Sequence, residues 1–396
     1  MGLLGSVRQE QGMVRKSLLV LLAVAAVGFS FLGLRDLRPH SQDLGDYLQV
    51  LFVSNGIDLS QEDFLEPVED PYLAFAETLN LVPASAQSGD RINMREARRI
   101  SEQFLAVKDR LYLDGLYGKI DMHEHYQVTG NIDLFLRALG CFGISRVVLL
   151  PTGLPPDNRF YKANWAGLMT WAKQYPDQII PFCTIDEADP HAGELVEQYI
   201  LEGAKGIKLI GGHPYYYDEP LNSQNMYKVY EMAAEHHVPV LIHGELINIP
   251  EQYDQLDQVF SDFPGVTFIL AHYGVTLMGG IHLDVIAGLL GKHPNLYIDL
   301  SQGGFIRRYL SYLKEDPETI RNFVIQYQDR ILFGSDVVLS IFTNDLNGLY
   351  QRIRCDIGAC QEARFTCEFG AEQGLDLDRE ILRKLYYENP KRVLGL

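Results

Sequence analysis

Eight short apolar runs, each separated from the next by enough chain for one helix, constrain this sequence more than any other feature. They are GKIDMHEH at 118–125, SRVVLLP at 145–151, IIPFCTI at 179–185, KGIKLI at 205–210, VPVLIH at 238–243, VTFILAH at 266–272, NLYIDLS at 295–301 and RILFGSD at 330–336. Runs this short and this apolar, alternating with helix-length segments, predict parallel strands covered on both sides by helices. From His123 to Asp336 the spacing is about 30 residues per strand-to-strand step, the repeat of an α/β fold closed as a (β/α)8 TIM barrel. Helices are expected at 132–140, 164–174, 191–202, 223–237 and 282–293, with one near 379–388 closing the ring. The barrel takes residues 118–396, and nothing marks a second catalytic domain.

The segment before the barrel has a different texture. Residues 17–34 run without a charge, near the lower length limit for a bilayer-spanning helix, and show no polar face. We read them as a single-pass anchor. Arg8, Arg15 and Lys16 favour a cytoplasmic tail over 1–16 and a barrel on the outer side of the cytoplasmic membrane, although Arg35 and Arg38 pull the other way. The competing reading is a cleaved signal peptide and a secreted barrel; no small-x-small site follows Leu34 to support it. Residues 35–117 form a spacer with Pro67, Pro71 and Pro83 in an acidic context, then an amphipathic helix at 91–116 carrying Ile92, Ala97, Ile100, Phe104, Val107 and Leu111. Its Arg91, Arg95, Arg98 and Arg99 read as a solvated face.

With 47% hydrophobic and 22% charged residues the chain can build a large core. A formal net charge of −18 is opposite to the basic face that a phosphate backbone requires, so no nucleic acid partner is expected. A small molecule is the expected ligand, and a homo-dimer is left open. Five cysteines, at 141, 183, 355, 360 and 367, lack paired C-x-x-C spacing, which argues against a structural zinc. Cys141 and Cys183 read as small core residues. In an exported domain two of Cys355, Cys360 and Cys367 could oxidise and pin what reads as a long loop; buried free thiols are the other reading, and the pairing is open.

In a (β/α)8 barrel the chemistry gathers at the C-terminal ends of the strands, where the βα loops surround the mouth. Strand one ends His123-Glu124-His125, and alternation puts both imidazoles on one face and Glu124 on the other. Strands five, six and eight end in His243, His272 and Asp336. One histidine on a strand is usually structural; five such residues at one rim point to a metal. Imidazole and carboxylate donors suit one divalent ion, zinc first, with iron or manganese as alternatives, and open positions on it would activate water. Asp336 is then placed to carry a proton between water and leaving group. Lys208 alternates inward between Ile207 and Leu209. The loops add His213, Tyr215, Tyr216 and Tyr217 after strand four, Glu245 and Asn248 after strand five, and Arg307 and Arg308 after strand seven as candidates for substrate contact. His40, His191, His236, His237, His282 and His293 fall in the spacer, on helices or at helix ends and read as surface residues.

The H-x-H on strand one, LIHGE at 241–245, LAHYG at 270–274, LFGSD at 332–336 and the terminal YENPKRVLGL at 387–396 resemble the amidohydrolase superfamily over residues 118–396. Within it they resemble the amidohydrolase-related branch that contains aminocarboxymuconate-semialdehyde decarboxylase and resorcylate decarboxylases. The resemblance implies a metal held by His123, His125, His243 and Asp336, with His272 beside it as an acid–base or substrate-polarising residue. It also raises three readings of Lys208: a carboxylated bridge between two metals, a contact for a substrate carboxylate, or a salt-bridged structural lysine. A mononuclear site is expected. The implied activity is hydrolysis of an amide, ester or lactone, or else decarboxylation of an aromatic-like or unsaturated acid. A tethered binding protein without catalysis is the reading from a different class.

Overall fold

In a computed structural model of the protein, the structure describes residues 118–396 apart from 129, 141, 153–156, 215, 218, 278–279, 304–305 and 340–345. The expected anchor at 17–34, the spacer with its helix at 91–116, Cys141 and Tyr215 lie outside the described residues. Among the described residues no helix is long and apolar enough to cross a membrane.

The strands are β1 (Lys119–Tyr126), β2 (Ile144–Pro151), β3 (Ile179–Pro181, resumed at Cys183–Thr184), β4 (Ile207–Leu209), β5 (Val240–Ile242), β6 (Phe268–Leu270), β7 (Leu296–Asp299) and β8 (Ile331–Leu332, resumed at Val338–Leu339). Every neighbouring pair among them is parallel. The ladder breaks within β3 and within β8, but the chain bridges both breaks. The Phe182 amide donates to Leu149 O at 2.9 Å and the Cys183 amide to Gly206 O at 2.9 Å. At the other break the Met122 amide donates to Phe333 O at 2.9 Å, the Asp336 amide to His123 O at 2.7 Å and the His125 amide to Val337 O at 3.0 Å. Strand eight thus pairs with both β7 and β1, and the parallel sheet closes on itself.

Alternation sorts the side chains into two layers. Leu241, Ile269 and Tyr297 stand in register across β5, β6 and β7 and join Ile120, Met122, Val148, Leu150 and Phe182 in the inner cluster. Lys208 shares that register beside Leu241, so a buried ammonium sits in an otherwise apolar layer. Ile207, Leu209, Val240, Ile242, Phe268 and Leu270 belong instead to the larger cluster beneath the helices. Strict alternation would set Ile120 and Met122 opposite His123; a register shift in β1 between Asp121 and Glu124 lets all three face inward.

The crossover helices are α1 (Ile132–Gly140), α2 (Asn158–Gln174), α3 (Ala192–Glu202), α4 (Gln224–His236), α5 (Glu251–Asp262), α6 (Leu283–Lys292), α7 (Ile306–Glu315), α8 (Pro317–Gln326) and α9 (Leu346–Gln361). α2 starts earlier than the expected 164 because Asp157 caps it, accepting from the Arg159 amide. Ser223 caps α4 in the same way through the Met226 amide. The region after β8, expected as a loop, is α9 followed by the antiparallel hairpin β9 (Arg364–Cys367) and β10 (Gly370–Gln373). A Cys355–Cys367 disulfide joins the helix to the hairpin, while Cys360 and Cys183 are free and buried. Of the histidines read as surface residues, His293 is buried, its Nε2 2.6 Å from Asp257.

Candidate metal centre

Asp299 at the end of β7 organises the mouth of the barrel. Its Oδ2 lies 2.8 Å from His123 Nδ1, and its Oδ1 accepts from the His272 amide at 3.0 Å and from the Ser301 amide at 3.1 Å. Ser301 Oγ also donates to Asp299 Oδ1. This arrangement places the His123 proton on Nδ1 and leaves the Nε2 lone pair facing the cavity. His123 Nε2 is 3.3 Å from His125 Nε2, 3.6 Å from Asp336 Oδ1 and 3.3 Å from Lys208 Nζ. Asp336 Oδ1 is 3.3 Å from His125 Nε2, and its Oδ2 is 3.8 Å from His272 Nε2. On the far side of the His272 ring, Nδ1 is 2.9 Å from Ser301 O, so it donates there and turns the Nε2 lone pair toward Asp336.

His272 is expected on a strand, but β6 ends at Leu270 and His272 lies in a tight turn. His272, Tyr273, Gly274 and Val275 all have positive φ there. The reason is local: Asp299 takes the His272 amide that a continued ladder would have used. The strain of three non-glycine residues at positive φ is tolerated because their side chains are buried and held.

Burial disfavours the charged forms of His123, His125 and His243. It pulls His125 down to about 3, lowers His123 and takes His243 well below its ordinary value. Burial alone would raise Asp336, but His123, His272, His125 and Lys208 outweigh it and hold the carboxyl below its usual range. Burial brings Lys208 down to about 8, against the pull of Asp299, Asp336 and Glu187. The centre therefore presents neutral imidazoles and an ionised carboxylate, with His123 Nε2 and Asp336 as acceptors and His125 Nε2 as a third when its proton sits on Nδ1. Such a cluster sits beside the Lys208 ammonium and could also hold a metal, a nitrogen and oxygen donor set of this kind fitting a divalent zinc, iron or manganese ion. His125 Nδ1 is buried without a hydrogen-bond partner among the described residues, so what Nε2 binds sets its tautomer.

Of the four expected ligands the structure brings His123, His125 and Asp336 into one group. His243 lies next to it in a second group with His213 and Glu245, its Nε2 3.2 Å from Glu245 Oε1. It touches the first group through the His272 ring, 5.1 Å away between centroids. Glu245 is itself steadied by Asn248 and by the Gln252 side chain, which accepts from its amide. A side chain at Gly212 would run into the His243 carbonyl, so the glycine pair after β4 lets the His213 loop lie against β5. Arg307 has none of these contacts. It is exposed on α7, with its guanidinium 4.6 Å over the Phe369 ring in a separate cleft of about 410 Å³ shared with Lys314, Glu368 and Glu372.

Several residues of the site carry no expectation from sequence. Asp299 and Ser301 extend the inward parity of Tyr297, so the YIDLS alternation was an available signal. Glu187, just past β3, is buried and accepts the Ile210 amide at 2.6 Å, fixing the loop that carries His213. Glu124, on the outer side of β1 as alternation requires, is buried rather than solvated; it accepts from Ser335 Oγ and from the Val337 amide. Burial and the neighbouring Asp121 raise it well above the usual carboxylate range.

The family model described as "Amidohydrolase" matches residues 139–396. A search of curated proteins finds no match. Among solved structures the chain is similar to a probable 2-pyrone-4,6-dicarboxylic acid hydrolase from Acinetobacter baumannii, with citric acid bound: 15% identity, 71% of this chain and 100% of that one covered, TM-score 0.49. It is similar also to 5-carboxyvanillate decarboxylase from Novosphingobium aromaticivorans, complexed with manganese and a nitrobenzoic acid, at 14% identity, 71% and 97% coverage and TM-score 0.46. A third is dihydroorotase from Campylobacter jejuni, at 15% identity, 71% and 84% coverage and TM-score 0.44.

Proposed function

Because this chain belongs to the amidohydrolase family, we propose that it is a metal-dependent hydrolase that cleaves a C–N or C–O bond of a small amide, ester or lactone. The observation that carries the proposal is the convergence of His123 Nε2, His125 Nε2 and Asp336 Oδ1 at the mouth of the barrel. These three, joined by His243, would hold one divalent ion, with zinc the first choice. When bound, the ion supplies Lewis-acid polarisation and an activated water. Asp336 divides its two oxygens: Oδ1 faces the histidine pair, and Oδ2, turned to His272, is free to take a proton and return it to the leaving group. His272, its Nδ1 engaged by Ser301, offers Nε2 to the substrate or to the proton on Asp336. Lys208 and the half-buried His213 would meet polar groups of the substrate.

The full-length protein is expected to purify with about one equivalent of a divalent ion and to lose it in His123→Ala/His125→Ala. An undiminished metal load in that variant would sink the site assignment. Acid release from esters, lactones and amides tests hydrolysis. Release of CO2 from carboxylated aromatics, with no such hydrolysis, would make it a decarboxylase built on the same residues. Metal binding with neither activity would favour a binding protein.

We also propose that residues 17–34 tether the chain to the cytoplasmic membrane with the barrel outside it, on the strength of their uncharged run and the basic residues before it. The full chain should stay with washed membranes while a chain starting at residue 36 is released. Release of both would overturn the tether.

A further inference from the structure

Arg352 lies on α9, outside the histidine cluster, yet it grips both pieces of backbone that surround Asp336. Its Nη2 donates to Ser335 O at 2.9 Å and to Gly303 O at 3.0 Å, while Nη1 pairs with Asp356 one helical turn on. Ser335 is the residue immediately before Asp336. Gly303 lies directly against the Asp336 carboxylate: its φ is +47°, and a Cβ there would take the place of Oδ2. Asp336 itself has a φ of +53°, a left-handed conformation that a non-glycine residue keeps only when its surroundings dictate it. One planar guanidinium thus fixes the carbonyl that enters this strained residue and the segment that roofs its side chain.

We propose that Arg352 is a positioning residue: by clamping Ser335 and Gly303 it aims the Asp336 carboxylate at the His123–His125 pair and so sets the affinity of the site for its metal. This rests on the reading of Asp336 as a ligand. The bland competitor is that Arg352 only neutralises Asp356, which is buried on the same helix. In that case replacing both charges together would leave metal binding untouched, because a buried ion pair exchanged for apolar residues of similar size costs little stability.

The experiment is titration of the metal-free full-length protein with Mn2+, read by the free-ion EPR signal, and with Zn2+, read by chelator competition. Melting temperatures without metal are recorded in parallel. Arg352→Met/Asp356→Leu should still fold, melting below the wild type because Ser335 O and Gly303 O lose their donor, and should bind either ion roughly 10- to 100-fold more weakly, the usual effect of losing a group that orients a ligand. Arg352→Lys, which keeps the charge and loses the fork, should fall between the two. A folded double variant with wild-type affinity would overturn the proposal. If the double variant does not fold, Arg352→Lys decides, and an affinity equal to wild type would overturn it. If the wild type binds neither ion, the metal reading itself fails and the role of Arg352 falls with it.

Discussion

A carboxyl buried against backbone amides titrates unlike one in water, and Glu187 is the residue where this bears on stability. Burial raises it to about 7, with the Gly211 and Ile210 amides and Lys208 only partly opposing. Its folded value therefore lies above the ordinary 4.5, and between the two the folded state keeps a proton that the unfolded chain has lost. Stability from this group is present at low pH and is lost as pH rises through about 4.5 to 7. From pH 5 to 7 the wild type should lose about 2 kcal/mol more than Glu187→Gln, read by urea unfolding at the two pH values. Parallel behaviour of the two proteins would show that Glu187 is ionised in the fold. At this scale the clustered histidines of β1 were legible because packing rarely calls for two imidazoles on one face at the end of an apolar run. Glu187, Arg352 and Asp356 were not, since a charged residue beside a strand or on a helix looks the same in sequence whether water or another charge faces it.

Among the elements, α9 and the hairpin after it depart furthest from expectation. Cys355 and Cys360 are five residues apart, about 140° around a helix axis, so only one of them can face the hairpin. Cys355 takes that place opposite Cys367. The three cysteines were visible; the choice between them needed the helix. A loop of this length, with a sequence separation of 12, ties down enough of the unfolded chain that Cys355→Ala/Cys367→Ala should lower stability by about 3 kcal/mol under non-reducing conditions. Equal unfolding midpoints with and without the cysteines would show that the bridge does not form. The strand ends were also set by tertiary partners: β6 stops at Leu270 because the carboxylate of Asp299, at the end of the neighbouring β7, claims the His272 amide.

For the molecule as a whole, closure of the ring depends on a short strand eight held from outside by the C-terminal helical segments at Arg379–Arg383, Lys384–Glu388 and Asn389–Leu394. Asn389, fully buried in the NPKR motif, donates from Nδ2 to Gln328 O at 2.7 Å and to Ile331 O at 2.8 Å, at the point where β8 begins. Asn389→Ala would take this donor from the buried Ile331 carbonyl and the half-buried Gln328 carbonyl and should cost about 2 kcal/mol in equilibrium unfolding. A change within about 0.5 kcal/mol would mean the terminal segment is not part of the closure.

The eight apolar runs and their spacing were enough to specify a parallel, helix-covered sheet, because burial on both faces leaves a strand little freedom of composition. Period-two alternation was enough to put His123 and His125 on one face and to turn Lys208 inward, since a strand has only two faces, but His123 shares the inside with Ile120 and Met122 only through the register shift in β1. Only the tertiary structure decided the rest. Its contacts join residues far apart in the chain: Asp299 to His123, and Gly303 and Arg352 to the Asp336 segment. Distance in sequence carries no record of such contacts, because they follow from which βα loops the closed ring brings together.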